Sequence, residues 1–128
     1  MAIDLLIVDD SALFRNVLKR ELEPMGFRVV GEAGNAIEGL RLFRSAHPHL
    51  VTLDIMMPLI ERIDAKYLFR TIRQESPNTA VVLMSTRLKE EERTGYLREG
   101  ALDYVQKPFI DFPALGAVLK RAFPEIRE

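Results

Sequence analysis

Five short apolar runs, separated by longer stretches of helical periodicity, constrain this chain more than any other feature of its sequence. Leu5-Leu6-Ile7-Val8 is the first and stops on Asp9-Asp10; Arg28-Val29-Val30-Gly31-Glu32 is the second. Leu50-Val51-Thr52-Leu53-Asp54 is the third, and Ala80-Val81-Val82-Leu83-Met84 the fourth, ending on Ser85. Asp103-Tyr104-Val105-Gln106 is the fifth and ends on Lys107-Pro108. Runs one, three and four are apolar at successive positions, as strands covered on both faces must be. The mixed second and fifth runs belong nearer the sheet edges.

The segments between them carry helix starts and stops. Ser11 can cap a helix with Phe14, Val17, Leu18, Leu22 and Met25 on one stripe, ending at Gly26. Asn35 and Glu38 have the spacing of a capping box before Ile37, Leu40 and Phe43. Leu68 and Ile72, with Ala65, define a third stripe before Pro77. A fourth helix, about Leu88 to Glu99, has a thin apolar stripe and Gly95 near its middle, which costs roughly 1 kcal/mol relative to Ala. Asp111 caps the last helix, with Pro113 in its first turn and Leu115, Leu119, Ala122 and Phe123 behind it. Strands alternating with helices in this way predict an α/β fold: a five-stranded parallel sheet with helices on both faces, joined by right-handed crossovers.

At 128 residues there is room for one domain, expected to span 1–128, with no linker and no internal repeat. Eighteen basic against nineteen acidic side chains leave no field for nucleic-acid phosphates or an anionic membrane, so direct nucleic-acid binding is not expected. No cysteine is present, which removes disulfides and thiolate metal sites. The start, Met1-Ala2-Ile3-Asp4, does not read as a signal peptide, and apolar runs of about five residues fall far short of the ~20 that span a bilayer. A cytoplasmic protein without membrane insertion is the expectation.

In open parallel sheets, functional groups gather at the carboxyl ends of the strands. That edge would carry Asp9, Asp10, Asp54, Ser85 and Lys107. Singly, each has a plain reading as a cap, a strand-end acid or a solvated lysine. Their convergence at one edge of four core strands argues for chemistry. Adjacent carboxylates repel by on the order of 1 kcal/mol in water and more in a cleft, so such a cluster keeps a proton or recruits a cation. Oxygen-only ligands suit Mg²⁺. A carboxylate beside such a cation can serve as a nucleophile toward phosphorus, while an ammonium and a hydroxyl hold the phosphoryl oxygens. Asp54 is the best-placed nucleophile, with Asp9 and Asp10 as the metal-side acids.

Four segments carry a resemblance over essentially the whole chain: Leu6-Ile7-Val8-Asp9-Asp10-Ser11, Leu53-Asp54-Ile55-Met56-Met57-Pro58, Leu83-Met84-Ser85 and Lys107-Pro108-Phe109. Together they resemble the response-regulator receiver domains of two-component signalling, especially the stand-alone chemotaxis type. The resemblance implies the flavodoxin-like strand order 2-1-3-4-5. It also implies Asp54 as phosphoacceptor, Asp10 as a direct Mg²⁺ ligand, Asp9 acting mostly through water, and the Met56 carbonyl completing the set. Ser85 and Lys107 would contact the phosphoryl group, Tyr104 would couple to the Ser85 hydroxyl, and Lys107–Pro108 would be cis. A histidine kinase or phosphotransfer protein would be the donor, and a downstream protein would bind helix four, strand five and helix five. No DNA-binding segment follows, so output is expected through protein contact or phosphotransfer.

Some residues depart from that pattern. Leu59-Ile60-Glu61-Arg62 stands where the family has a glycine-rich turn, and relaxation of this loop, drawing the Met56 carbonyl off the metal, is the expectation. Thr86 replaces a small residue at the site entrance, and Arg87 stands where it could influence water. His47 and His49 read as loop residues. A flavodoxin-like cofactor binder is disfavoured because Asp9-Asp10 would repel a phosphate, and an aspartate-nucleophile phosphatase because Met56 stands where a second acid is needed. A receiver-like interaction module that is not phosphorylated is the remaining alternative.

Overall fold

The structure is a computed structural model that describes residues 2–87, 89–108 and 110–124. In chain order the elements are β1 (Ile3–Val8), α1 (Ala12–Leu22), β2 (Phe27–Ala33), α2 (Ala36–Ala46), β3 (Leu50–Asp54) and α3 (Ala65–Glu75). They continue with β4 (Ala80–Ser85), α4 (Glu90–Arg98), β5 (Asp103–Gln106) and α5 (Phe112–Arg121). All strand pairs are parallel and the order is 2-1-3-4-5, so the two mixed runs do occupy the edges.

Alternation along the central strands divides the core. Leu6, Val8, Val51, Leu53, Val81 and Leu83 pack with residues of α2, α3 and α4. Leu5, Ile7, Leu50, Val82 and Met84 face α1 and α5. Period-2 orientation of side chains makes one uninterrupted apolar run serve both layers. No described helix is long and apolar enough to cross a membrane.

Several boundaries differ from the sequence expectation. The first helix stops at Leu22, and Glu23–Met25 form a single 3-10 turn closed by Gly26 at φ 100°. Pro24 has no N–H to continue the α-helical ladder, which accounts for the break. The fourth helix starts at Glu90, and Leu88 lies outside the described residues. Ala122, counted in the last apolar stripe, is exposed just beyond α5, whereas Phe123 is buried against the edge of His49 at 6.1 Å between centroids. Asn35 caps α2 by accepting from the Glu38 N–H, so one half of the capping box forms. His47 and His49 are loop residues: His47 ends α2 at φ 47°, and His49 Nδ1 accepts from the Asp4 N–H at 2.9 Å.

The turn after Pro58 overturns the expectation of relaxation. Glu61 and Arg62 both stay left-handed, at φ 50° and 66°. Ile60 and Ile63 exchange two backbone hydrogen bonds across them, at 3.1 and 2.8 Å. This is the two-residue hairpin turn for which Asn-Gly is ordinarily used. Two closing bonds and the packing of Ile63 on the core outweigh a left-handed cost on the order of 1 kcal/mol per residue.

Candidate functional site

The carboxyl end of β1 delivers Asp9 and Asp10, and Ser11 caps α1 immediately after them. β3 ends on Asp54, β4 ends on Ser85, and Lys107 follows β5. The Lys107 N–H donates to the Ser85 carbonyl at 2.8 Å, which carries the β4–β5 pairing one residue past the strand. The Lys107–Pro108 bond is cis. Residues from four segments far apart in sequence thus meet at one sheet edge because parallel strands all end there.

Asp9, Asp10 and Asp54 bring carboxylate oxygens within 4.8 Å of one another. Asp9 and Asp54 are each 2% exposed, whereas Asp10 is exposed. Lys107 Nζ donates to Asp9 at 2.9 Å and to Asp54 at 3.3 Å, and the same ammonium sits 4.7 Å from the Phe14 ring centroid. The remaining oxygens are also engaged: Asp9 Oδ1 accepts from the Ser11 N–H at 2.9 Å, and Asp54 Oδ1 from the Met56 N–H at 2.8 Å. Among the described residues, nothing in the protein hydrogen-bonds to the Asp10 carboxylate.

The electrostatics follow from this geometry. Burial pushes the Asp54 carboxyl above its ordinary range; the Met56 N–H pulls it down, the Asp9 charge pushes it up again, and Lys107 opposes. Burial lowers the Lys107 ammonium, but its bond to Asp9 and the charge of Asp54 outweigh that and leave it raised. One ammonium among three carboxylates leaves the cluster negative, with hard oxygen donors close together. The site therefore fits a hard divalent cation such as Mg²⁺ among the carboxylate oxygens of Asp9, Asp10 and Asp54. Met56, the remaining predicted ligand, is 45% exposed in the loop after β3.

Ser85 and Tyr104 occupy the β4–β5 side. Ser85 is buried, and its hydroxyl accepts from the Arg87 N–H at 3.1 Å. Thr86 and Arg87 are exposed after the strand, and Gln106 Nε2 donates to the Thr86 carbonyl at 3.3 Å. Tyr104 is 3% exposed. Its hydroxyl donates to Glu92 Oε1 at 3.0 Å, and its ring lies 6.0 Å from Tyr96. Burial first, and the Glu92 contact second, push the Tyr104 phenol up to about 12.

Sequence reasoning missed four contributors: Phe14 under the lysine, Arg15 on the Asp9 carbonyl, and Glu92 and Tyr96 around Tyr104. Phe14 was placed only on the core stripe. Arg15 and Lys19, one turn apart and facing Glu32, carried a charge-pairing signal. Glu92 had none, because a run of three glutamates does not say which one turns inward.

Comparison with known proteins places the chain in a family and a fold. Residues 5–120 match the family model described as the response regulator receiver domain. The chain is 35% identical over 104 residues to chemotaxis protein CheY of Thermotoga maritima, covering 81% of this chain and 84% of that protein. It is 36% identical over 107 residues to a protein-glutamate methylesterase/protein-glutamine glutaminase of Hahella chejuensis, of which it spans only 30%. Among solved structures, a chain of the CheX-CheY-BeF3-Mg²⁺ complex from Borrelia burgdorferi superimposes with a TM-score of 0.84 at 26% identity, covering 94% of this chain and 89% of that one.

Proposed function

This chain belongs to the response-regulator receiver family, and from that premise we propose that it is a phosphorylation switch in which Asp54 is the acceptor. The observation that carries the reading is the convergence of Asp9, Asp10 and Asp54 with Lys107 bridging two of them. In the transfer, an Asp54 carboxylate oxygen attacks phosphorus on a phosphohistidine of the donor protein. The P–N bond breaks, an acyl phosphate forms on Asp54, and the released imidazole recovers a proton from solvent. Mg²⁺, when bound, would supply charge neutralisation for the phosphoryl oxygens.

The chain's own residues do the rest. Asp10, whose carboxylate is free toward solvent, would ligate the cation directly. Asp9, committed to Lys107 and the Ser11 N–H, would act through water. The Met56 N–H orients the nucleophile, and the Met56 carbonyl is assigned to the ligand set. Lys107 would exchange its bond to Asp54 for one to a phosphoryl oxygen. Ser85 would release the Arg87 N–H to donate its hydroxyl to another.

Readout would pass through Tyr104, which contacts α4, to the surface of α4, β5 and α5. A shallow cleft of about 310 Å³ between β5 and α5, bordered by Asp103, Val105, Ile110, Asp111, Leu115 and Val118, would suit a downstream protein segment. The donor would be a sensor histidine kinase or a phosphotransfer protein, with residues 1–128 acting as one receiver domain in the cytoplasm and no direct contact with nucleic acid.

Intact mass after incubation with a small acyl phosphate and Mg²⁺ tests the assignment. One added, base-labile phosphoryl group, lost in Asp54→Asn, is the expected result. An unmodified parent would favour an interaction module that works without phosphorylation, and an unchanged yield in Asp54→Asn would move the acceptor elsewhere.

A further inference from the structure

We infer that Arg15 is a positioning residue for the metal-side acids, holding the peptide that joins Asp9 to Asp10 and thereby setting where the Asp10 carboxylate stands. The inference rests on the reading of Asp10 as a cation ligand given above. Its basis is an arrangement around Asp9 in which every polar group is taken. The Asp9 N–H donates to the Ala33 carbonyl at 2.9 Å, Oδ1 accepts from Ser11 and Oδ2 from Lys107. The remaining group, the carbonyl, accepts from Arg15 Nη1. Because the peptide unit is planar, fixing that carbonyl also fixes the N–H and Cα of Asp10. The Asp10 carboxylate has no hydrogen bond or ion pair among the described residues, so the peptide before it is what places it.

Arg15 is itself held on its other side. Its Nε donates to Glu32 Oε1 at 3.3 Å, and Lys19 Nζ holds the second Glu32 oxygen at 3.2 Å. Glu32 lies in β2 opposite Ile7 of β1, two residues before Asp9. The guanidinium passes over Gly34, where a Cβ would stand 3.6 Å from Nη1. A rigid fork with donors on two sides can bridge a carbonyl and a carboxylate at once, which a lysine ammonium on a flexible stem does less well. The chain of contacts therefore runs from Lys19 through Glu32 and Arg15 to the Asp9–Asp10 peptide, and anchors the metal-side loop to the edge strand.

A purely structural alternative is that Arg15 only staples α1 to β2. Titration with Mg²⁺ alone, followed by calorimetry, separates the two when run beside thermal melts of the metal-free proteins. Arg15→Met keeps the apolar stem and removes the donors; it is expected to weaken Mg²⁺ binding about tenfold, within the range found for groups that orient metal ligands. Arg15→Lys should recover part of the loss, and Glu32→Gln should weaken binding by less and in the same direction.

If Arg15→Met melts lower but binds Mg²⁺ within about twofold of the parent, Arg15 is a staple and the inference falls. Should Arg15→Met fail to fold, unchanged affinity in both Arg15→Lys and Glu32→Gln overturns it equally. Asp10→Asn separates the two levels: weakened binding there with intact binding in the Arg15 variants refutes the role of Arg15 alone. A parent chain that binds no Mg²⁺ refutes the site reading and this inference with it.

Discussion

Two helices on the same face of the sheet, α2 and α4, are held in opposite ways. α2 starts on a side-chain cap from Asn35 and buries Ala36, Gly39, Leu40 and Phe43. α4 has no side-chain cap and buries only Tyr96; its first turn instead carries Glu90, Glu91 and Glu92, which suit the positive end of the helix dipole. Gly39 shows the difference most directly. A Cβ there would stand 2.9 Å from Leu68 and 3.1 Å from Val8, so glycine is what lets α2 approach the sheet. A Cβ on Gly95 of α4 would meet nothing within 4 Å. One glycine permits close packing, and the other leaves a helix loosely determined. Segments with few buried contacts open most readily, and switching motions are drawn from them. The same sheet thus presents a fixed end beside β2 and an adjustable end beside β5.

The largest effect should come from closing the gap under α2. Gly39→Val is expected to cost about 1–3 kcal/mol by overpacking against Val8 and Leu68, read as a lowered denaturant midpoint. A loss below about 0.5 kcal/mol would mean that α2 is as free to shift as α4. The turn before α3 lies between these extremes, since it is closed but strained. Replacing Glu61 and Arg62 together with Asn and Gly should raise stability by about 1 kcal/mol or more, because that pair takes the left-handed conformation at little cost. No gain would show that the turn is unstrained.

Gly95→Ala should add about 0.5–1 kcal/mol by restricting the unfolded chain and favouring the helix. A destabilised Gly95→Ala variant would reveal packing on α4 that the structure does not contain. A further effect concerns pH. The Tyr104 phenol is raised to about 12 by burial and Glu92, so the folded state favours its neutral form. Its contribution is present below the unfolded value near 10 and is lost as pH rises from there toward 12. Absorbance titration should show the highest-pH tyrosinate step vanish in Tyr104→Phe. Glu92→Gln should move that step down while leaving α2 unaffected.

Most of this molecule was legible in its sequence because apolar runs, caps and strand-end residues report local necessity. Leu5 to Val8 cannot be other than a doubly covered strand, and Asp54 and Lys107 were found because parallel strands deliver their ends to one edge. The turn at Glu61-Arg62 was misread: propensity argues against two left-handed non-glycine residues, and the cross-turn bonds of Ile60 and Ile63 that retain them are invisible from composition. Glu92 was missed for a related reason. Which of three consecutive glutamates turns inward depends on the register of a short, uncapped helix against Tyr104. The end of α1 was displaced because the apolar spacing continued to Met25 while Pro24 interrupted the hydrogen bonding.

On the proposed function, an event at Asp54 is read out at the loosely held end of the sheet. Amide hydrogen exchange with and without beryllofluoride and Mg²⁺, a stable mimic of the phosphoryl group, tests it most directly. Protection is expected to change most across residues 85–108, spanning the end of β4, α4 and β5, while α2 changes little. Changes confined to α1 and α2, with residues 85–108 unaltered, would contradict it.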